Sequence, residues 1–205
     1  MTLKRKFIYI SLFLLLFTVP SLNPTPALAL GSPDSVPSFA EFWRSVQNGQ
    51  KDVLRGVYVD HVLALPIVQQ PKGKDWYVSG NDGEATQFGI ASNFGNIGLL
   101  AHNNLAGKSF LQLKVGKEVS LIYGDGHIEM FAIKEILRYQ ALQPNSPFSS
   151  FKNLNKDETL NTGQMFKRVY SGNYHLTFQT CIYADGNSSW GRLFVIATPA
   201  DEHGR

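Results

Sequence analysis

From Val53 onward the chain falls into short apolar runs, each closed by a cluster of Gly, Pro, Asn, Asp or Ser. That punctuation favours a many-stranded sheet over a helical bundle. Val57 to Val68 is rich in Val and Leu, with Pro66 marking an edge or a bend near its far end. Trp76 to Val78 precedes the turn cluster Ser79-Gly80-Asn81-Asp82-Gly83. Phe88 to Ala91 and Ile97 to Ala101 are further runs, the second ending at His102. Lys117 to Tyr123 and Ile128 to Tyr139 flank Gly124-Asp125-Gly126-His127, a hairpin signal. Gln143 to Phe151 reads as a long loop, and Thr159 to Tyr170 as wholly or partly helical. Asn173 to Tyr183 and Arg192 to Thr198 read as the last two strands, joined by Ala184 to Ser189. Seven to eight strands with short helices predict an all-β domain, a closed or nearly closed antiparallel barrel.

The N-terminus has the three parts of a secretory signal. Lys4-Arg5-Lys6 supply positive charge, Phe7 to Val19 are apolar, and Ala27-Leu28-Ala29 forms a small-residue cleavage site. Thirteen apolar residues make about 20 Å of helix, short of a ~30 Å hydrocarbon core. Pro20, Pro24 and Pro26 oppose lengthening it. The expected organisation is a signal peptide over 1–29, or a membrane anchor if it stays uncleaved. A linker with a short helix follows over 30–52, then a single domain over 53–199 and a tail over 200–205. Within the linker, Phe39, Phe42, Trp43 and Val46 have the spacing of a brief amphipathic helix. The signal takes three of the 19 basic residues and none of the 16 acidic ones, so the remainder balances at 16 against 16. The formal charge of +3 belongs to the leader, and no basic stripe suits a nucleic acid.

Cys181 is the single cysteine. An exported protein that uses cysteine structurally normally carries an even number. Cys181 is therefore buried and inert, paired with another chain, or a reactive thiol. In Tyr174-His175-Leu176-Thr177-Phe178-Gln179-Thr180-Cys181, strand alternation puts Cys181 on the face of Gln179, Thr177 and His175. If the last two strands pair as a hairpin, Arg192 lies roughly opposite Cys181, and a fixed guanidinium there can stabilise a thiolate or an oxyanion. Among the histidines, His203 lies in the tail, His127 in a turn and His61 inside the first long strand. His175 shares the cysteine face but stands six residues away, about 20 Å along an extended strand. His102 ends an apolar strand ahead of Asn103-Asn104, at a strand-to-loop corner. Asp82, Glu84, Asp125 and Glu129 have no metal-ligand spacing, and neither metal nor cofactor is expected.

Taken together these residues resemble the sortase family. Its Thr-Leu-x-Thr-Cys strand is matched by Thr177-Phe178-Gln179-Thr180-Cys181, and its Arg-apolar-apolar-Val strand by Arg192-Leu193-Phe194-Val195. Its histidine region is matched by Leu99-Leu100-Ala101-His102-Asn103-Asn104, then Phe110-Leu111-Gln112-Leu113 and Gly116. The likeness covers Val53 to Pro199. Phe178 stands for the usual Leu, and Ala101 for the glycine often found before the histidine. The resemblance implies a sortase-type barrel and acyl transfer through a thioester on Cys181. His102 would act as proton donor and acceptor, Arg192 would hold the oxyanion, and Thr180 would contact substrate. Protein substrates with a sorting signal and an amine acceptor, peptidoglycan or pilin-like, would be its partners in the cell envelope. Residues 143–154 and 184–191 would read the substrate. The rival readings are a sortase-like hydrolase or cysteine peptidase, and a non-catalytic exported binding barrel with Cys181 as core packing.

Overall fold

The computed structural model of the protein describes residues 36–200. The leader expected over 1–29, the linker before Val36 and the tail after Ala200 lie outside the described residues. In chain order the elements are α1 (Phe39–Val46), β1 (Leu54–Val59), β2 (Leu63–Gln69), β3 (Ala85–Gln87), α2 (Gly89–Ser92), β4 (Ile97–Leu100) and α3 (Gly107–Phe110). Then follow β5 (Glu118–Tyr123), β6 (Ile128–Ala141), β7 (Phe151–Asn153), β8 (Thr159–Leu160), α4 (Thr162–Tyr170), β9 (Leu176–Ala184) and β10 (Asn187–Pro199).

Eight strands close into a barrel in the order β10-β9-β4-β3-β2-β1-β5-β6, with β6 pairing back onto β10. The short β7 and β8 extend the sheet from β6. Closure removes the free edges that an open sheet would present. The expected strand count and closure are what the chain adopts; purely antiparallel pairing is not. β2 pairs with β3, and β4 with β9, in parallel. Turn punctuation reveals hairpins between consecutive strands, but β4 and β9 are far apart in sequence and no local signal links them.

Four other expectations change. The run from Val57 to Val68 is two strands, because Asp60-His61 turns the chain with His61 at φ 59°. Phe88 to Ala91 enters a one-turn helix, too short to show a period, and Trp76 to Val78 is loop with Trp76 79% exposed. The last hairpin turns on Asp185-Gly186 alone, both at positive φ, with Ala184 paired to Asn187. This is the two-residue turn that suits strand twist, and it lets β10 start five residues before Arg192.

Alternation fills the barrel. Leu176 and Phe178 of β9, Leu193, Val195 and Ala197 of β10, and Ile97 and Leu99 of β4 all join the inner core. The outer face of β6 and β10 carries Leu137, Tyr139 and Phe194, which pack with Met165, Val169 and Tyr170 of α4. On the opposite side α1 sets Phe42 against Tyr58 and Ile122. Both longer helices begin with reciprocal caps, Ser38 with Glu41 and Asn161 with Gln164. The end of α4 is tied to the barrel. The Val169 carbonyl accepts from the Thr177 hydroxyl at 2.7 Å, and the Tyr170 carbonyl from the Asn96 amide at 2.9 Å. These bonds satisfy carbonyls that a helix end leaves open.

Phe178 is fully buried, its ring set edge-on to that of Phe110 at 5.0 Å. Phe178→Ala is expected to cost about 3–5 kcal/mol in equilibrium denaturation. A loss below about 1 kcal/mol would mean that the barrel interior is not filled at this level.

Candidate active site

The parity that sends Phe178 and Leu193 inward sends Cys181 and Arg192 outward. The two are paired directly across β9 and β10. On the other flank of β9, β4 runs parallel, with Leu99 beside Phe178 and Leu100 beside Gln179. The Ala101 N–H donates to the Gln179 carbonyl at 3.3 Å, so pairing continues one residue past the strand. Carrying that register on by one more step brings His102 alongside Cys181. Ala101 packs inward, so His102 leaves the barrel on the outer side. Cys181 and Arg192 thus stand on paired strands, with His102 two residues past the end of β4 on the flank of β9 opposite Arg192. Neighbouring strand axes lie roughly 5 Å apart, which puts the cysteine backbone about one spacing from that of Arg192.

Access differs among the three. His102 is exposed, while Cys181 and Arg192 are half-buried. The other described histidines are elsewhere. His61 sits in the β1–β2 turn beside Asp60, and His127 in the β5–β6 turn against Tyr123. His175 is buried, with its ring nitrogens 2.7 Å from the Asn173 carbonyl and 2.9 Å from that of Val169. Its ring closes the α4–β9 connection, six residues before Cys181. His203 lies outside the described residues.

Around the cysteine the chain is held tightly. After Ala101 it turns so that the His102 carbonyl accepts from the N–H groups of Leu105 and Gly107, both at 3.0 Å. Gly107 is required there: a Cβ on it would lie 2.6 Å from that same carbonyl and also strike the Thr180 hydroxyl. Nothing in the Asn-Asn-Leu-Ala-Gly run marks this glycine as part of the site, because the contact is made with a strand distant in sequence. Thr180 requires a correction. It was expected to touch substrate, but it is 2% exposed on the inner face, and its hydroxyl donates to the Ala101 carbonyl at 2.8 Å. Odd and even residues of β9 face opposite ways, so the neighbour of an outward cysteine must point in. Thr180 fixes the His102 corner instead.

Arg192 is anchored at one end of its guanidinium. Its Nη1 donates to the carbonyls of Ser189 at 3.0 Å and Gly191 at 2.8 Å, and the side chain lines an adjoining cleft. That cleft, about 170 Å³, runs between α4 and the outer wall of the barrel and is lined by Arg192, Gln179, Phe88, Phe166, Tyr170 and Phe194 among others. Gln179, two residues before the cysteine, accepts a 2.6 Å hydrogen bond from the Tyr170 hydroxyl. Burial pushes that phenol's pKa far up, so it stays a donor. The larger cavity, about 900 Å³, lies beneath the start of α1 beside Tyr58 and Met130 and contains none of these residues.

Thr180→Val should cost about 1–3 kcal/mol in chemical denaturation, because it strands the Ala101 carbonyl, whereas Thr180→Ser should keep most of the stability. Equal stability for the Val variant would contradict the buried role.

No family model matches the chain, and no curated protein matches it. Among solved structures 76 chains match. They include sortase A from Listeria monocytogenes, at 12% identity and a TM-score of 0.47, covering 73% of this chain and 88% of that one. A sortase D5 transpeptidase from Clostridium perfringens is 15% identical with a TM-score of 0.45, covering 80% of this chain and 89% of the other. Sortase C-1 from Actinomyces oris is 11% identical with a TM-score of 0.48, covering 80% and 81%. These three solved structures are sortases of classes A, D and C. At this depth of likeness the chemistry has to come from the chain's own residues.

Proposed function

We propose that this chain is an exported sortase-type cysteine transpeptidase in which Cys181 is the nucleophile, His102 the proton carrier and Arg192 the oxyanion partner. The observation that carries the reading is the direct pairing of Cys181 with Arg192 on the outer face, flanked by the strand that delivers His102. A structural cysteine has no need of a guanidinium opposite it, and the inward positions beside it are already filled by Thr180, Ile182 and Leu193.

The chemistry follows from that arrangement. The Cys181 thiolate attacks a peptide carbonyl carbon, forming a C–S bond and pushing charge onto the oxygen, where Arg192 stabilises it. Collapse breaks the C–N bond, and His102 gives a proton to the leaving amine. The acyl group is then a thioester on Cys181. An incoming amine attacks it, His102 takes the proton of the new ammonium, and the C–S bond breaks to restore the thiolate. Water in place of the amine would give hydrolysis, so the acceptor alone decides between transpeptidase and peptidase outcomes.

The substrate is a protein with a sorting signal, and the acceptor an envelope amine of the peptidoglycan or pilin type. The aromatic lining of the cleft beside Arg192 suits an apolar side chain of such a peptide. The Lys4 to Ala29 segment supports export. The β9–β10 hairpin tip carries Tyr183, 66% exposed, beyond the cysteine on the same side, where it can meet substrate.

The test uses the full chain. A thiol-directed alkylator should label Cys181 in the native protein, and Arg192→Ala should slow that labelling. With a pooled peptide library and an amine acceptor, products read by mass should show cleaved peptide joined to the amine. Cys181→Ala should abolish the reaction, and His102→Ala should slow it about 10²–10⁴-fold. Labelling only after denaturation, with no peptide product, would point to a binding barrel instead.

A further inference from the structure

Resting on the transpeptidase reading above, we infer that Asn103 is a positioning residue that clamps the His102 corner to the same backbone segment that anchors Arg192. The segment is an irregularity at the start of β10. Between the pairs Asn187–Ala184 and Gly191–Ile182, residues 188–190 face Tyr183 alone. Extra residues of this kind drop out of the ladder and free their carbonyls. Free carbonyls seek donors. The Ser188 carbonyl accepts from the Asn103 side-chain amide at 2.9 Å, and those of Ser189 and Gly191 accept from Arg192. Asn187 shapes the segment from inside, its side-chain oxygen accepting from the Ser189 N–H at 2.8 Å.

The consequence is geometric. His102, just past the end of β4, and Arg192 of β10 sit on opposite flanks of β9, and β4 and β10 do not pair with each other. Ladder bonds set each of them relative to β9. The bulge touches both the corner that carries one and the guanidinium of the other. Asn103 is the link on the histidine side, adjacent to His102 where the chain has already left the sheet. Because Asn103 acts as a donor to a carbonyl, an aspartate of the same shape cannot replace it.

The experiment follows alkylation of Cys181 by iodoacetamide in the native full chain. Asn103→Ala and the isosteric Asn103→Asp should each slow it about two- to tenfold, the range one hydrogen bond of this kind supports, with the melting temperature unchanged. Both effects should vanish in a His102→Ala background. In ¹H–¹³C spectra the His102 ring signals should shift or broaden in either variant, while those of His61, His127 and His175 stay in place. Equal slowing in the His102→Ala background, an Asp variant that behaves as wild type, or unmoved His102 signals would overturn the clamp. Should His102→Ala itself leave alkylation unchanged, the transpeptidase reading fails, and the ring signals still decide for or against the clamp.

Discussion

The site depends on the lateral pairing of β9 between β4 and β10. Hydrogen-bond registers on the two flanks fix which residues stand beside Cys181, and a slip of one residue on either flank would turn a partner into the barrel. That register is over-determined. Inward Leu176, Phe178, Leu193 and Val195 fill the core, so a slip would expose apolar side chains and bury polar ones. The free energy that holds the outer face in place is therefore that of the inner one.

A second layer supports the first from outside. α4 covers the wall beside Cys181 and Arg192, with Met165, Val169 and Tyr170 packed on Phe194 and Tyr139. Thr177 and Gln179 share the outer face of β9 with Cys181, and both bond to the end of α4, the first to the Val169 carbonyl and the second to the Tyr170 hydroxyl. Side chains of β9 thus belong to three environments in succession: barrel core, helix interface and open surface. Cys181 is where the helix cover ends.

Much of this was legible in the chain itself. The apolar spacing from Phe39 to Val46 marks α1 to the residue, and the Gly124–His127 cluster marks the β5–β6 hairpin. A hairpin between the last two strands brings Arg192 roughly opposite Cys181, but the exact pair rests on the bulge, since an unbroken ladder from Ala184–Asn187 would set Cys181 against Trp190. The parallel approach of β4 was not legible, since it depends on two segments about 80 residues apart. Asp60-His61 was hidden because no glycine or proline marks the turn, and a histidine takes the left-handed backbone there. The burial of Thr180 followed from the same alternation that exposes Cys181, and a strict reading of period two would have found it. Gly107 and the bulge at Ser188 to Gly191 act through tertiary contacts and leave no local trace.

The central claim is that one sulfur on the outer wall accepts an acyl group. Its most direct measurement is the intact mass of the full chain after mixing with a peptide that it cleaves, quenched before an acceptor amine is added. The account predicts an added mass equal to the N-terminal peptide fragment, localised to Cys181 and removed by hydroxylamine as the hydroxamate. Peptide cleavage without any such adduct, or an adduct that persists in Cys181→Ala, would contradict it.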